Sequence, residues 1–290
     1  MEIKSLVNAD TLLGEGPLWD VETQRLYWID SLGNRVLSCD ADGGDVREWS
    51  VLQNIGSMAL RSRGGAILSL ADGFHSFDFE TGRTEPFALV DHGSPQVRMN
   101  DGKVDPLGRF VAGSLNVTET VDDARLYSLD VEGQVRVLDT RITVSNGPCW
   151  SPDGRIFYFA DSRARAIFAY DYDLDTGAIG GKRVFCSFGP EDGLPDGATV
   201  DAEGCLWSAG VYKGKLHRFS PSGERILTLD MPVQSVTSVM FGGPDLDRLY
   251  VTTMLRPPVG DVVETSPLAG ALLYIDDIGT RGLPERRYAG

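Results

Sequence analysis

The chain has 290 residues, 42% of them hydrophobic, with 34 glycines and 15 prolines, which suits a folded, turn-rich protein and not a disordered one. A formal charge of −15 and a pI near 4.6 argue against nucleic acid, whose binding needs clustered Lys and Arg. No apolar run approaches the roughly 20 residues that span a bilayer, and Met1 to Asp10 lack the basic-then-apolar pattern of a secretory signal. A cytoplasmic location without a membrane partner is therefore expected.

In chain order, Ile3–Val7 comes first and has no obvious local partner. Gly14-Glu-Gly-Pro17 then leads into Leu18-Trp19-Asp20, a turn, and a second strand, Arg25-Leu-Tyr-Trp-Ile-Asp30. The same order recurs down the chain. Asn100-Asp-Gly102 leads into Lys103-Val104-Asp105, and Asn146-Gly-Pro148 into Cys149-Trp150-Ser151. Pro195-Asp-Gly197 leads into Thr199-Val200-Asp201. Each polar motif is expected to precede an apolar-alternating run, then a turn such as Asp-Pro-Leu-Gly or Ser-Pro-Asp-Gly, then a second strand such as Arg155–Asp161 or Arg248–Thr252. Third strands read Arg125–Asp130, Ile167–Asp171 and Leu272–Asp276.

The leading positions are Glu15, Gly56, Asn100, Asn146, Asp196 and Thr237, separated by 41, 44, 46, 50 and 41 residues. That period suits a four-stranded propeller blade of about 40 to 50 residues. Six units predict an all-β, six-bladed β-propeller formed by one domain, residues 1–290. Because the first unit starts almost at the N-terminus and the last lacks a strand, Ile3–Val7 should pair with the C-terminal blade and fasten the ring.

If the repeats close, Glu15, Asn100, Asn146 and Asp196 converge at one mouth of the central channel. Buried polar groups there must be satisfied by water, by each other or by an ion. Two carboxylates and two amide oxygens, with no soft ligand, suit calcium, magnesium or manganese better than copper or structural zinc. Taken singly, each of these motifs also reads as a turn dipeptide. Other patterns carry less. Cys39, Cys149, Cys186 and Cys205 form no Cys-x-x-Cys pair and are expected to be reduced, half-buried packing residues. His75, His92 and His217 lack helical metal spacing. Asp40–Asp45 begins like a calcium loop but lacks the later Glu. Asn116-Val-Thr118 is a chance match to a glycosylation acceptor. There is no Gly-x-Ser-x-Gly elbow, and Trp19, Trp28, Trp150 and Trp207 are expected in the core.

Six stretches resemble one known family. They are Leu13-Gly-Glu-Gly-Pro-Leu-Trp19, Arg98-Met-Asn-Asp-Gly-Lys-Val-Asp-Pro-Leu-Gly-Arg109, Ser145-Asn-Gly-Pro-Cys-Trp-Ser151, Asp171-Tyr-Asp-Leu-Asp-Thr-Gly177, Leu194-Pro-Asp-Gly197 and Tyr288-Ala-Gly290. In order and over essentially the whole chain, they are similar to the senescence marker protein, regucalcin and gluconolactonase family. The resemblance implies a propeller that hydrolyses sugar lactones with one divalent cation, calcium first, with zinc, manganese, iron(II) or magnesium as alternatives. It implies Glu15, Asn146 and Asp196 as metal ligands, Arg98 and Asn100 as a substrate-contacting pair, and Asp196 also as the base. Animal members have an acidic pair and a longer lid after the equivalent of Ala112–Leu115. Here Asn116–Asp123 is shorter, and Glu119 alone stands in for the substrate-binding acid.

The expected reaction is hydrolysis of an aldono-lactone to its aldonic acid, with the cation polarising the carbonyl and Asp196 taking a proton from water. Hydroxide held by the ion is an equally physical nucleophile. Two alternatives stand beside this reading. One is another propeller ester or phosphotriester hydrolase, like paraoxonase. The other is a calcium- or sugar-binding regulator without turnover. The particular sugar, the metal used and the oligomeric state are not readable from the residues.

Overall fold

A computed structural model describes residues 1–259 and 263–290. Strand β1 (Ile3–Asn8) precedes the first blade, β2 (Gly14–Asp20), β3 (Arg25–Asp30), β4 (Arg35–Asp40) and β5 (Arg47–Ser50). Blade 2 holds β6 (Ile55–Leu60), β7 (Ala66–Leu70), β8 (Gly73–Phe77) and β9 (Thr84–Leu89). Blade 3 holds β10 (Val97–Val104), β11 (Phe110–Asn116), β12 (Ala124–Leu129) and β13 (Val135–Ile142). Blade 4 holds β14 (Ser145–Trp150), β15 (Ile156–Asp161), β16 (Ala166–Tyr172) and β17 (Ile179–Ser187). Blade 5 holds β18 (Leu194–Val200), β19 (Leu206–Val211), β20 (Lys215–Phe219) and β21 (Arg225–Asp230). Blade 6 ends the series with β22 (Val236–Gly242), β23 (Arg248–Thr253) and β24 (Ala271–Ile275). Every sheet is four-stranded and antiparallel, and β1 supplies the fourth strand of blade 6 by pairing with β24, Ile3 opposite Ile275. The expected six-bladed propeller and its N-terminal closure are both present.

The core explains why the ring closes. Among the described residues apolar side chains collect in seven clusters, six at the seams between neighbouring blades and one at the channel mouth. Leu18, Ile29 and Val36 of blade 1 pack with Met58, Leu60 and Leu68 of blade 2. The series runs on to Trp19, Trp28 and Leu26 of blade 1, which meet Tyr250 and Leu272 of blade 6. A blade alone would leave one face wet, so closure buries what each sheet leaves uncovered. The innermost strands β6, β14, β18 and β22 are buried along their whole length. This corrects the expected apolar alternation, because an inner strand is covered by a neighbour on each side. Outer strands such as β9 and β21 are the half-exposed ones.

A second closure was not foreseen. The C-terminal segment after Ile278 crosses the face opposite the polar motifs. The Ala202 amide donates to Arg281 O (2.8 Å), Gly282 donates to Leu246 O (2.8 Å) and Tyr288 donates to Leu60 O (2.8 Å). Arg287 pairs with Asp20 at 2.6 Å, and the buried Tyr288 hydroxyl donates to Asp130 O at 2.7 Å. This strap therefore touches blades 1, 2, 3, 5 and 6. All four cysteines are free and buried, more deeply than the half-burial expected. The four tryptophans named above are core residues. Asn116 is also buried, donating to Asp123 Oδ1 at 2.9 Å. Among the described residues no helix is long and apolar enough to cross a membrane.

Candidate functional site

The four polar motifs occupy the starts of β2, β10, β14 and β18, and each interrupts its own ladder. Pairing with the second strand breaks between Glu15 and Leu18, Met99 and Gly102, Asn146 and Cys149, and Pro195 and Ala198. Each break leaves two residues outside the ladder, bending the strand and re-aiming a side chain toward the axis. Gly16 and Gly147 take φ of 53° and 56°, the left-handed region that a side chain disfavours. A Cβ on Gly147 would also lie 2.8 Å from Asp196 O, so glycine lets blades 4 and 5 approach here. Pro17 and Pro148 sit within these breaks, where no ladder donor is required.

The sequence-predicted residues meet. Glu15, Arg98, Asn100, Glu119, Asn146 and Asp196 line one cavity of about 50 Å³ at the channel mouth. Asn146 and Asp196 are buried, and Glu15 is deeply set, half-buried by area where it faces that cavity. Burial, then the negative charges of Asp196 and Asp101, pushes the Glu15 carboxyl well above the usual carboxylate range. Burial, then Asp101 and Glu119, does the same to Asp196. Among the described residues neither carboxylate makes an ion pair, and the nearby Arg98 guanidinium only partly offsets the rise at Glu15. Burial draws the Arg98 guanidinium down to about 10, which leaves it charged at neutral pH.

Hydrogen bonds orient the two amides differently. Asn100 Nδ2 donates to Ser145 O at 2.8 Å and to Asn146 Oδ1 at 2.9 Å. A carbonyl can only accept, so Ser145 fixes which way the Asn100 amide faces. Its Oδ1 is then turned to Arg98 Nη1, 3.4 Å away. Asn146 Nδ2 donates to Ser162 Oγ at 2.9 Å, and the Ser162 hydroxyl donates to Pro195 O at 2.6 Å. The Asn146 oxygen therefore faces the pocket. Of the four oxygen-bearing side chains expected to converge, Asn100 has its Oδ1 turned toward Arg98, whereas Glu15, Asn146 and Asp196 remain together in the cavity.

Among the described residues no group of three or more His, Cys, Asp and Glu side chains could hold a metal ion, so an ion here depends on the Asn146 amide. The donor set still fits a hard divalent cation. Two carboxylates that repel each other, with no ion pair among the described residues, and one oriented amide oxygen are hard ligands, and that repulsion is what such an ion relieves.

The rim holds the predicted Glu119 together with residues that the sequence reading missed. Glu119, with φ of 54°, lines the pocket, yet its carboxylate is bound by Arg163 Nε at 2.7 Å and by Arg163 Nη2. Ser162, Arg163 and Tyr212 follow the second strands of blades 4 and 5, one hairpin beyond the leading motifs. Carrying the repeat phase one strand further would have found them. Leu13, Leu194, Val211 and Met254 form an apolar wall that also borders the pocket.

Known proteins share this fold over almost their whole length. A regucalcin of Xenopus laevis is 33% identical over 297 residues, covering 100% of this chain and 99% of that one. The luciferin-regenerating enzyme superposes with a TM-score of 0.93 at 28% identity, covering 100% of this chain and 99% of that one. A calcium-binding protein, regucalcin, from Agrobacterium tumefaciens superposes with a TM-score of 0.92 at 27% identity, covering 99% and 97%. Residues 13–255 match the model of the SMP-30/gluconolactonase/LRE-like region, and by that match this chain belongs to the family so described.

Proposed function

We propose that this protein is a metal-dependent lactonase that opens an aldono-lactone to its hydroxy acid. One observation carries the reading. Two deeply set carboxylates, Glu15 and Asp196, share a cavity with an amide oxygen held in place by Ser162 and have no ion-pair partner among the described residues. Glu15, Asn146 and Asp196 would hold a divalent cation, calcium first. When bound, that ion supplies a Lewis acid for the lactone carbonyl oxygen.

The chain's own residues do the rest. Asp196 accepts a proton from the attacking water as the water oxygen bonds to the carbonyl carbon. The ring carbon–oxygen bond then breaks, and the proton passes to the departing ring oxygen, so lactone and water leave as one hydroxy acid. Arg98 presents a rigid fork to ring oxygens and hydroxyls beside the Asn100 carbonyl. Arg163, by holding Glu119, fixes an acceptor at the same side of the mouth. The apolar wall of Leu13, Leu194, Val211 and Met254 turns the C–H face of the substrate to the other side.

The test is a pH-indicator assay of five- and six-membered sugar lactones, run on chelated enzyme and again with calcium, manganese or zinc. Turnover above the spontaneous rate should require added metal. Asp196→Ala should lower kcat by about 100- to 10,000-fold. An Asp196→Ala variant that keeps most of its activity at saturating metal refutes the assignment. The calcium-binding name carried by the Agrobacterium neighbour favours a second reading, a binder without turnover. Metal uptake with no lactone opening across the whole panel would establish it.

A further inference from the structure

Below the site the channel continues into a second, smaller cavity of about 30 Å³, lined in part by Asp101, Lys103, Ala198 and Glu285. Asp101 lies outside the pocket that holds Glu15 and Asp196. Both of its carboxylate oxygens are occupied by backbone donors. Oδ1 accepts from the Gly102 amide at 2.8 Å, and Oδ2 accepts from the Gly147 amide at 2.8 Å. The second bond crosses from blade 3 to blade 4 and lands on the residue directly after Asn146. There the blade-4 ladder is interrupted, so the Gly147 amide has no strand partner of its own. Lys103 makes a parallel crossing to blade 5, donating to Ala198 O at 3.2 Å and meeting Glu285 at 3.4 Å.

We propose that Asp101 is a positioning residue for the cation site, holding the Asn146–Gly147 bulge so that the Asn146 amide oxygen is presented to the ion. The inference rests on the metal-dependent reading above and assigns this chain a support one layer below the ligands. A carboxylate is needed because both oxygens must accept. An amide at 101 would present a donor to one of the two backbone N–H groups.

Isothermal titration of Mn2+ and of Ca2+ into the chelated full-length protein tests this, comparing wild type, Asp101→Asn, Asp101→Ser and Glu285→Gln. Thermal unfolding of each metal-free form reports folding separately. Asp101→Asn should weaken cation binding by about 10- to 100-fold. Asp101→Ser keeps the fold within reach, since the cavity beside it admits a water that can bridge to Gly147, and should show a similar loss. Glu285→Gln removes a charge of the same sign from the same cavity without touching the bulge, and should bind like wild type. Wild-type affinity in a folded Asp101→Asn or Asp101→Ser protein overturns the proposal. So does an equal loss in Glu285→Gln, which would make charge alone responsible. A wild type that takes up neither ion instead sinks the metal-dependent reading on which this one stands.

Discussion

At the scale of single residues, the site is decided by which way two amides face. Asn100 and Asn146 are the same residue type at the same repeat phase, yet the oxygen of one is turned to Arg98 and that of the other accepts from Asn100 Nδ2. Their partners make the difference: the Ser145 carbonyl for Asn100 and the Ser162 hydroxyl for Asn146. Ser162→Ala removes the acceptor for Asn146 and the donor to Pro195 O, which should cost about 1 to 3 kcal/mol of stability. It should also weaken cation affinity by about tenfold or more, read by titration calorimetry on the chelated protein. His217 illustrates a buried residue with a purely structural part. Its ring contacts Asp192 O at 2.9 Å and Thr228 Oγ1 at 3.0 Å, and burial lowers its pKa below the usual 6.5. The unfolded chain therefore takes up the proton first as pH falls, so this residue's contribution is full above pH 6.5 and declines below it. Melting temperatures at fixed calcium should fall less between about pH 7.5 and 5.5 in His217→Gln than in wild type. Equal slopes would contradict that role.

At the scale of elements, what was legible was local. Strand–turn–strand units such as Arg25–Asp30 and Arg155–Asp161 announce themselves through β-branched and aromatic runs bounded by turn residues. The partner of Ile3–Asn8 was legible by counting, since blade 6 lacked a strand. The strap after Ile278 was not, because it forms isolated bridges, such as Arg61 with Tyr288, and carries no strand periodicity. Its weight is nonetheless large. Tyr288 is fully buried between blades 2 and 3, packing in a cluster with Ala59 and Tyr127. Tyr288→Ala should cost about 3 to 5 kcal/mol, seen as a lower urea midpoint with little change in m. An unshifted midpoint would mean the strap lies on the ring without fastening it.

At the scale of the whole molecule, the channel mouth concentrates negative charge that the fold must tolerate. A cation bound only by the folded ring should raise stability by about 2.7 kcal/mol at a concentration of 100 Kd, or roughly 5 to 10 °C in melting temperature. Glu15→Gln should abolish most of that shift while leaving the metal-free protein at least as stable, because it removes one of two mutually repelling, deeply set carboxylates. Differential scanning calorimetry with and without calcium reads both effects. The period of 41 to 50 residues determined the number of blades, the phase of the inner strands and four of the residues that line the mouth, Glu15, Asn100, Asn146 and Asp196, because each depends on spacing along one repeat. Only the closed ring decided that the Asn100 oxygen is turned toward Arg98, that Glu119 is held by Arg163, and that Asp101 reaches under blade 4 to Gly147. Those contacts join residues 2, 44 and 46 positions apart through the meeting of neighbouring blades and through hydrogen-bond direction. Neither leaves a mark in the order of residues.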